Sequence, residues 1–429
     1  MIATGQWSAS QTMGRRWPIA CVALEITQRC NLDCTACYLS EHAEAVKDLP
    51  LEEIFRRIDM IFDYYGRYTD VQVTGGDPTL RQRDELLAIV RRICDKGMRP
   101  TLFTNGILAK RDLLQDLVSA GLVDVAFHVD MTQQRIGYDN EIALNALRRE
   151  YIDRTRGLGL PVMFNTTVID GNFDQIPQIV AFFIRNSDTV RLASFQLQAE
   201  TGRGVLGIRD ARITIDSMRH QIERGAATPL SFDTAHIGHA QCNRYAMALV
   251  INGNAYDVLD DKKLYAEVLA HMVPLQFDRK NRSAAVRTFM KGVLTSPRLM
   301  RRGAVWLSRM IWRARGDLVR ARGRVDKLSF FIHDFMSACA LDRDRIDACV
   351  FTAATAVGPI SMCLHNAKRD TFILHPVKLE SGKSPVFWNP LSGKITRAPV
   401  VIGAPTGLPP KFARGRQKRA FQDTVAGKR

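Results

Sequence analysis

Between residues 20 and 198 the chain alternates two hydrophobic rhythms. Short runs rich in aliphatic and β-branched side chains, at 21–27, 70–74, 100–104, 123–129, 161–168 and 190–197, read as strands. The stretches between them, 51–65, 81–96, 109–120, 142–158 and 173–186, carry apolar residues at helical spacing; in the second, Leu86, Leu87, Val90, Ile93 and Cys94 share one stripe. Strands alternating with helices predict a parallel sheet with right-handed crossovers, either an open doubly wound sheet or a partial β/α barrel. In both, chemistry belongs at the C-terminal ends of the strands.

Polar residues gather at those ends. The first strand runs into Thr27-Gln28-Arg29-Cys30, the second into Thr74-Gly75-Gly76-Asp77-Pro78, the third into Thr104-Asn105-Gly106 and the fourth into His128-Val129-Asp130. The fifth carries Asn165 and Thr167, the sixth Gln196 and Gln198. One such cluster is an ordinary turn; six in register argue for a rim. After residue 200 the rhythm weakens. The run Thr201-Gly202-Arg203-Gly204 reads as a linker or a substrate-side loop. The expected organisation is a core at 17–205, a connecting segment at 206–260, a basic amphipathic helical insert at 261–328, a cysteine-bearing region at 329–378 and a Pro/Gly-rich basic tail at 379–429, with no internal repeat.

Apolar residues at 46% and charged residues at 24% of 429 exclude a disordered or fibrous chain. No apolar run is long enough to span a bilayer, and 18–24 is short for a secretory signal, so a cytoplasmic protein is expected. The formal net charge of +16 is concentrated. Residues 279–327 hold 15 Lys/Arg against two Asp, and 411–429 hold seven against one, leaving the remainder slightly negative. Two local basic patches point to an anionic surface partner.

Nine cysteines in a long chain fit thiols kept reduced better than a disulfide framework. Cys30, Cys34 and Cys37 lie within one loop. Three closely spaced soft thiolates can hold three corners of a cuboidal iron–sulfur cluster and leave one iron open. The alternative is a zinc site with His42 as fourth ligand.

The CxxxCxxC loop after the first strand, followed by Gly75-Gly76-Asp77-Pro78 after the second, resembles the radical S-adenosylmethionine (SAM) superfamily. Asp77 stands where Glu is commoner, and Tyr38 after the last cysteine fits the family's habit. The resemblance covers roughly residues 20–200. It implies a partial (β/α)6 barrel, a [4Fe–4S] cluster on the three cysteines, and SAM chelated by the open iron with its amino group at the Gly-Gly loop. It also implies a low-potential electron donor of the ferredoxin or flavodoxin type, and a 5′-deoxyadenosyl radical that takes hydrogen from an unactivated C–H bond. Thr104, Asn105, His128, Asp130, Asn165 and Thr167 are the further SAM-contact candidates. For His128 the competing reading is a satisfied buried histidine.

Cys242, Cys339, Cys349 and Cys363 are candidates for a second iron–sulfur cluster, or else are buried structural thiols. Segments 331–336, 344–349 and 358–366 resemble the C-terminal region of tetraether lipid synthase-like radical SAM proteins, which implies a lipid substrate and auxiliary clusters. Cys21 and Cys94 read as core. Around residue 300, Met300, Ala304, Leu307 and Ile311 share one helical face and Arg302, Arg309 and Arg313 the opposite one, with Trp306 and Trp312 on the flanks. Such a helix can lie among anionic head groups on the inner face of a membrane, pack on its own domain, or bind nucleic-acid phosphates; the last is disfavoured. The leading expectation is a radical SAM enzyme acting on a lipid or other hydrophobic molecule at the membrane surface. The alternatives are a radical SAM maturase of a peptide, and a non-enzymatic zinc-stapled protein that binds nucleic acid or membrane.

Overall fold

The computed structural model describes residues 20–401 apart from 236, 273–274, 276–280 and 380–384; most of the expected basic tail lies outside the described residues. The described chain divides into two compact units. The first takes residues 20–139, 198–209 and 335–401, the second 140–197 and 210–334.

The first unit opens with β1 (Cys21–Thr27), α1 (Leu51–Tyr65), β2 (Asp70–Gly75), α2 (Arg83–Asp95), β3 (Arg99–Thr104), α3 (Arg111–Ser119) and β4 (Asp124–His128). The four strands are parallel neighbours in sequence order. Their alternation sorts side chains onto two faces. Val22, Leu24 and Ile26 of β1 and Val71 and Val73 of β2 are fully buried, as are Ile54, Ile58 and Ile61 on the inner stripe of α1 and Ile89, Val90 and Ile93 on that of α2. The opposite face of the same strands carries Glu25, Gln72 and Thr74, with Glu25 registered on Thr74. Gly66, at φ 75°, ends α1 where a side chain is disfavoured.

The second unit contains α4 (Asn145–Thr155), β5 (Val162–Val168), the short α5 (Asp170–Phe173), α6 (Ile176–Arg185) and β6 (Val190–Leu197). It continues with α7 (Ile215–Ala226), β7 (Asn243–Ile251), β8 (Asn254–Asp257), α8 (Lys262–Met272), α9 (Arg282–Leu294), α10 (Pro297–Arg320) and β9 (Asp326–Asp334). Parallel β5 and β6 are joined by β9, which returns to pair parallel with β6, and the β7–β8 hairpin adds antiparallel strands beyond it. Inside this unit the buried Arg148 is ion-paired with Glu141, and Asn172 donates to the same carboxylate at 2.8 Å.

Back in the first unit, β10 (Phe351–Thr355) pairs parallel with the free edge of β1, and β11 (Gly358–Ser361) closes that edge antiparallel. A small three-stranded sheet, Val377–Leu379, Val386–Trp388 and Ile395–Thr396, packs its own apolar cluster. The fold is therefore the expected mixed α/β arrangement with parallel strands. All six expected strands are present within two residues, and 206–378 add strands to both units. No helix among the described residues is long and apolar enough to cross a membrane.

Candidate cluster and nucleotide site

Four of the polar strand ends meet in the first unit. The loop after β2 lies directly on the loop after β1: Gly76 N–H donates to the Thr27 carbonyl at 2.9 Å and Asp77 N–H to the Arg29 carbonyl at 2.8 Å. A Cβ on Gly75 would stand 2.0 Å from the Thr27 carbonyl oxygen, and one on Gly76 2.0 Å from that of Arg29. Both positions therefore need glycine, and Gly75 also has φ 129°. The close approach that requires them is between two loops of the chain itself.

Asp77 is completely buried. Its carboxylate accepts from Thr79 N–H at 3.0 Å, capping the turn Pro78–Leu80, from Thr104 Oγ1 at 2.9 Å and from Asn105 N–H at 2.8 Å. Burial pushes its pKa up against these bonds. The side chain thus ties the second strand's loop to the third's. Asn105 extends the tie: its amide donates to Asn31 Oδ1 at 2.6 Å, inside the cysteine loop, and its carbonyl accepts from Arg135 at 2.6 Å. His128 Nε2 lies 2.6 Å from Asp130 Oδ2, and Asp130 caps the turn Met131–Gln133 through Thr132 N–H at 2.9 Å. Thr35 N–H then donates to the Thr132 carbonyl at 2.8 Å, so the fourth strand's loop also reaches the cysteine loop. Tyr38 donates its hydroxyl to the Gly75 carbonyl at 2.7 Å.

The segment read as a linker is a strap over this loop. Arg203 N–H donates to the Leu39 carbonyl at 2.7 Å, Gly204 N–H to Cys37 at 3.0 Å and Val205 N–H to Thr35 at 2.7 Å. Gly202, at φ 57°, approaches so closely that a Cβ would stand 2.4 Å from the Tyr38 carbonyl. The Arg203 side chain is 2% exposed, donates to Glu44 at 2.9 Å and lies 4.0 Å from Asp33. Burial alone would lower its pKa; charge at the Cys37 sulfur and at Asp33 more than offsets this and raises it. No sequence pattern marked this residue beyond its two flanking glycines.

Cys30, Cys34 and Cys37 are each partly exposed. Burial pushes the Cys30 thiol up to about 11 and Cys34 well above its usual range, and the neighbouring sulfurs add to both shifts. Three mutually repelling sulfurs in one loop call for a cationic core, and soft thiolates suit iron. Among the described residues no three Cys, His, Asp or Glu side chains are grouped to hold a single metal ion. A cuboidal cluster does not need that grouping, because each thiolate binds a different iron. His42, the fourth ligand of the zinc alternative, instead stands 3.7 Å from Asp370. The residues present fit a [4Fe–4S] cluster.

Asn165 and Thr167 lie on β5 in the second unit, registered on Ser194 and Gln196 of β6. Gln198 belongs to the first unit and donates to the Gly207 carbonyl at 2.7 Å. Cys242 immediately precedes β7 in the second unit, where its carbonyl accepts from Asp334 N–H. Cys339 is exposed, Cys363 is buried, and the Cys349 thiol donates to the Phe351 carbonyl at 3.0 Å. Cys349 also contributes to raising the pKa of Cys21, at the start of β1 and thus at the strand end opposite the cysteine loop. Sequence reasoning also missed a buried charge pair behind the loop. Arg369 donates twice to Glu25 at 2.7 Å and lies over the Tyr38 ring at 4.8 Å.

A three-cysteine loop held by the C-terminal ends of parallel strands defines an α/β protein with a site built for an iron–sulfur core. Residues 24–183 match the model of the Radical SAM superfamily. A PqqA peptide cyclase of Bradyrhizobium diazoefficiens is 31% identical over 199 residues, 44% of this chain and 50% of the relative. A probable GTP 3′,8-cyclase of Pyrococcus abyssi is 28% identical over 186 residues, 43% of this chain and 59% of the relative. Streptococcus suis SuiB bound to S-adenosylmethionine has 16% identity and a TM-score of 0.36 over 49% of this chain and 48% of its own. The chain spans about half the length of the curated relatives it matches.

Proposed function

We propose that the protein is a radical SAM enzyme that activates a C–H bond. Cys30, Cys34 and Cys37 would hold the [4Fe–4S] cluster, and loop 75–78, with Thr104, Asn105, His128 and Asp130 around it, would receive SAM. When bound, the cluster supplies the electron that cleaves the SAM sulfonium C5′–S bond homolytically, and the resulting radical abstracts the substrate hydrogen. The chain's own residues position and shield. Asp77 and Asn105 lock three loops into one rim. Tyr38 fixes the Gly75 carbonyl, and Asp130 orients the His128 ring. The strap at 201–205 covers the loop's outer side. The observation that carries the reading is this mutual locking of the cysteine loop by the loops after β2, β3 and β4. An external low-potential donor of the ferredoxin or flavodoxin type would deliver the electron.

For the substrate, a lipid or other hydrophobic molecule is the leading reading, supported by a large apolar surface on α9 and α10. A peptide substrate is the second, supported by the similarity to PqqA peptide cyclase over the radical SAM domain. The test of the chemistry is direct. Anaerobically reconstituted protein with dithionite and SAM should release 5′-deoxyadenosine, and Cys34→Ala should not. Zinc without iron and sulfide in the anaerobic preparation, or undiminished release by the variant, ends the proposal. Deuterium transfer into 5′-deoxyadenosine from labelled lipid extract or labelled peptide then separates the two substrates.

A further inference from the structure

Helix α10 buries Leu299, Met310, Ala314 and Asp317. Three of its arginines are ion-paired: Arg302 with Glu267 at 2.6 Å and Asp261 at 3.3 Å, and Arg309 and Arg313 both with Asp260, at 3.0 and 3.3 Å. Trp306 Nε1 donates to Asp260 at 2.8 Å. Asp317 is held by Asn252, Asn254 and the Tyr256 hydroxyl at 2.9, 2.7 and 2.6 Å, which fastens the helix to the β7–β8 hairpin. Arg302, Arg309 and Arg313 are thus engaged by carboxylates of the same chain, as the reading that packs this helix on its own domain expects. The apolar stripe is exposed as well, with Met300 at 40%, Leu307 at 51% and Ile311 at 49%.

That face is unusual in extent. Of the 21 large apolar side chains exposed among the described residues, ten lie between Val286 and Val319, so this is a patch and not scatter. Val305 is 66%, Trp312 68% and Val319 79% exposed. Exposed cations are set among them. Arg287, Lys291 and Arg301 form no ion pair among the described residues, and Arg315 lies over the Trp312 ring at 4.2 Å. Apolar side chains, a flanking tryptophan and unneutralised cations on one long helical surface are the composition that a lipid–water interface accepts.

We propose that the outer face of α9 and α10 docks in the plane of an anionic phospholipid bilayer. Charge argues against the other occupants. A second copy docking face to face would bring this strongly basic segment against itself. A nucleic acid would leave Val305, Leu307 and Ile311 without a partner. The inference goes beyond the radical chemistry and does not depend on it, since SAM cleavage in solution reports on the other unit.

The test is co-sedimentation of the full chain with mixed phosphatidylglycerol–phosphatidylcholine vesicles and with pure phosphatidylcholine vesicles. Binding to the mixed vesicles is expected, with weak or no binding to the neutral ones. The double variant Leu307→Glu/Ile311→Glu changes only outward residues and should lower binding by about tenfold or more. Lys291→Glu/Arg301→Glu should remove the preference for anionic lipid. Unchanged thermal unfolding and unchanged vesicle-free 5′-deoxyadenosine release show that the variants fold. The proposal is overturned by wild-type protein that ignores anionic vesicles, by a Leu307→Glu/Ile311→Glu variant that binds like wild type, or by one whose only change is conversion of a dimer to a monomer.

Discussion

Replacing Arg203 with Gln separates what the strap contributes by charge from what its backbone contributes. The three backbone hydrogen bonds from 203–205 to the cysteine loop survive the change. The charge-assisted bond to Glu44 at 2.9 Å does not, and a cation is removed from beside Asp33, which is 8% exposed. A hydrogen bond to a charged group contributes about 1.5–3 kcal/mol, and breaking a buried ion pair costs about 3–5 kcal/mol. Glu44 is 35% exposed and can rehydrate, so the lower range applies, about 1.5–3 kcal/mol. A second effect falls on the cluster. A cation beside thiolates favours the added electron. At an effective dielectric of about 20, unit charges several ångströms apart interact by roughly 2–3 kcal/mol. For a one-electron couple that is on the order of 100 mV. Arg203→Gln should thus lower the midpoint potential by tens of millivolts to about 100 mV and reduce stability, while retaining iron. Arg203→Lys should recover most of the potential but only part of the stability, because the guanidinium fork is lost. Urea denaturation reads the first quantity, and anaerobic redox titration followed by electron paramagnetic resonance reads the second. Wild-type values for both in Arg203→Gln would refute the electrostatic role.

Gly76→Ala should displace the Arg29 carbonyl and with it Cys30, costing about 2 kcal/mol or more; iron retention on gel filtration should fall, whereas Gly207→Ala, with open space around it, serves as a silent control. Burial lowers the His365 pKa to about 4, so the folded state holds it neutral while the unfolded chain takes up a proton below about 6.5. Its contribution, up to about 3 kcal/mol, is complete above that value and lost as pH falls through 6.5 toward 4. His365→Asn should flatten the pH dependence of unfolding in that window, and an unaltered slope would show the ring to be solvated. Burial alone would raise the Glu25 carboxyl, but Arg369 and Gln28 hold it at about 2, so its contribution persists until pH drops below about 4.5. Cys349→Ser should leave iron per chain unchanged, because the thiol is engaged by the Phe351 carbonyl; loss of iron in proportion to a second cluster would show it to be a ligand.

The parts of this protein that could be read from sequence are those set by local periodicity. The strands Cys21–Thr27 and Val190–Leu197 and the helix Leu51–Tyr65 match their expected limits because each is an uninterrupted period of two or of 3.6. The rim was legible for the same reason: a strand's end is local information, and four such ends meet as expected. What failed depended on partners distant in sequence. The strand Asp326–Asp334 belongs beside Val190–Leu197, but a hairpin and four helices intervene, and no periodicity records such a pairing. Arg203 looked like part of a linker because glycines flank it. Those glycines are needed because Gly202 touches the Tyr38 carbonyl, a contact across 164 residues of chain. Helix α10 makes the sharpest case. Its two stripes follow from the sequence, but the ion pairs of the basic one with Asp260, Asp261 and Glu267, which precede it in the chain, do not. An amphipathic pattern fixes only that two faces differ. Where carboxylates of the same chain engage the arginines, the exposed apolar side chains are the ones left for a partner.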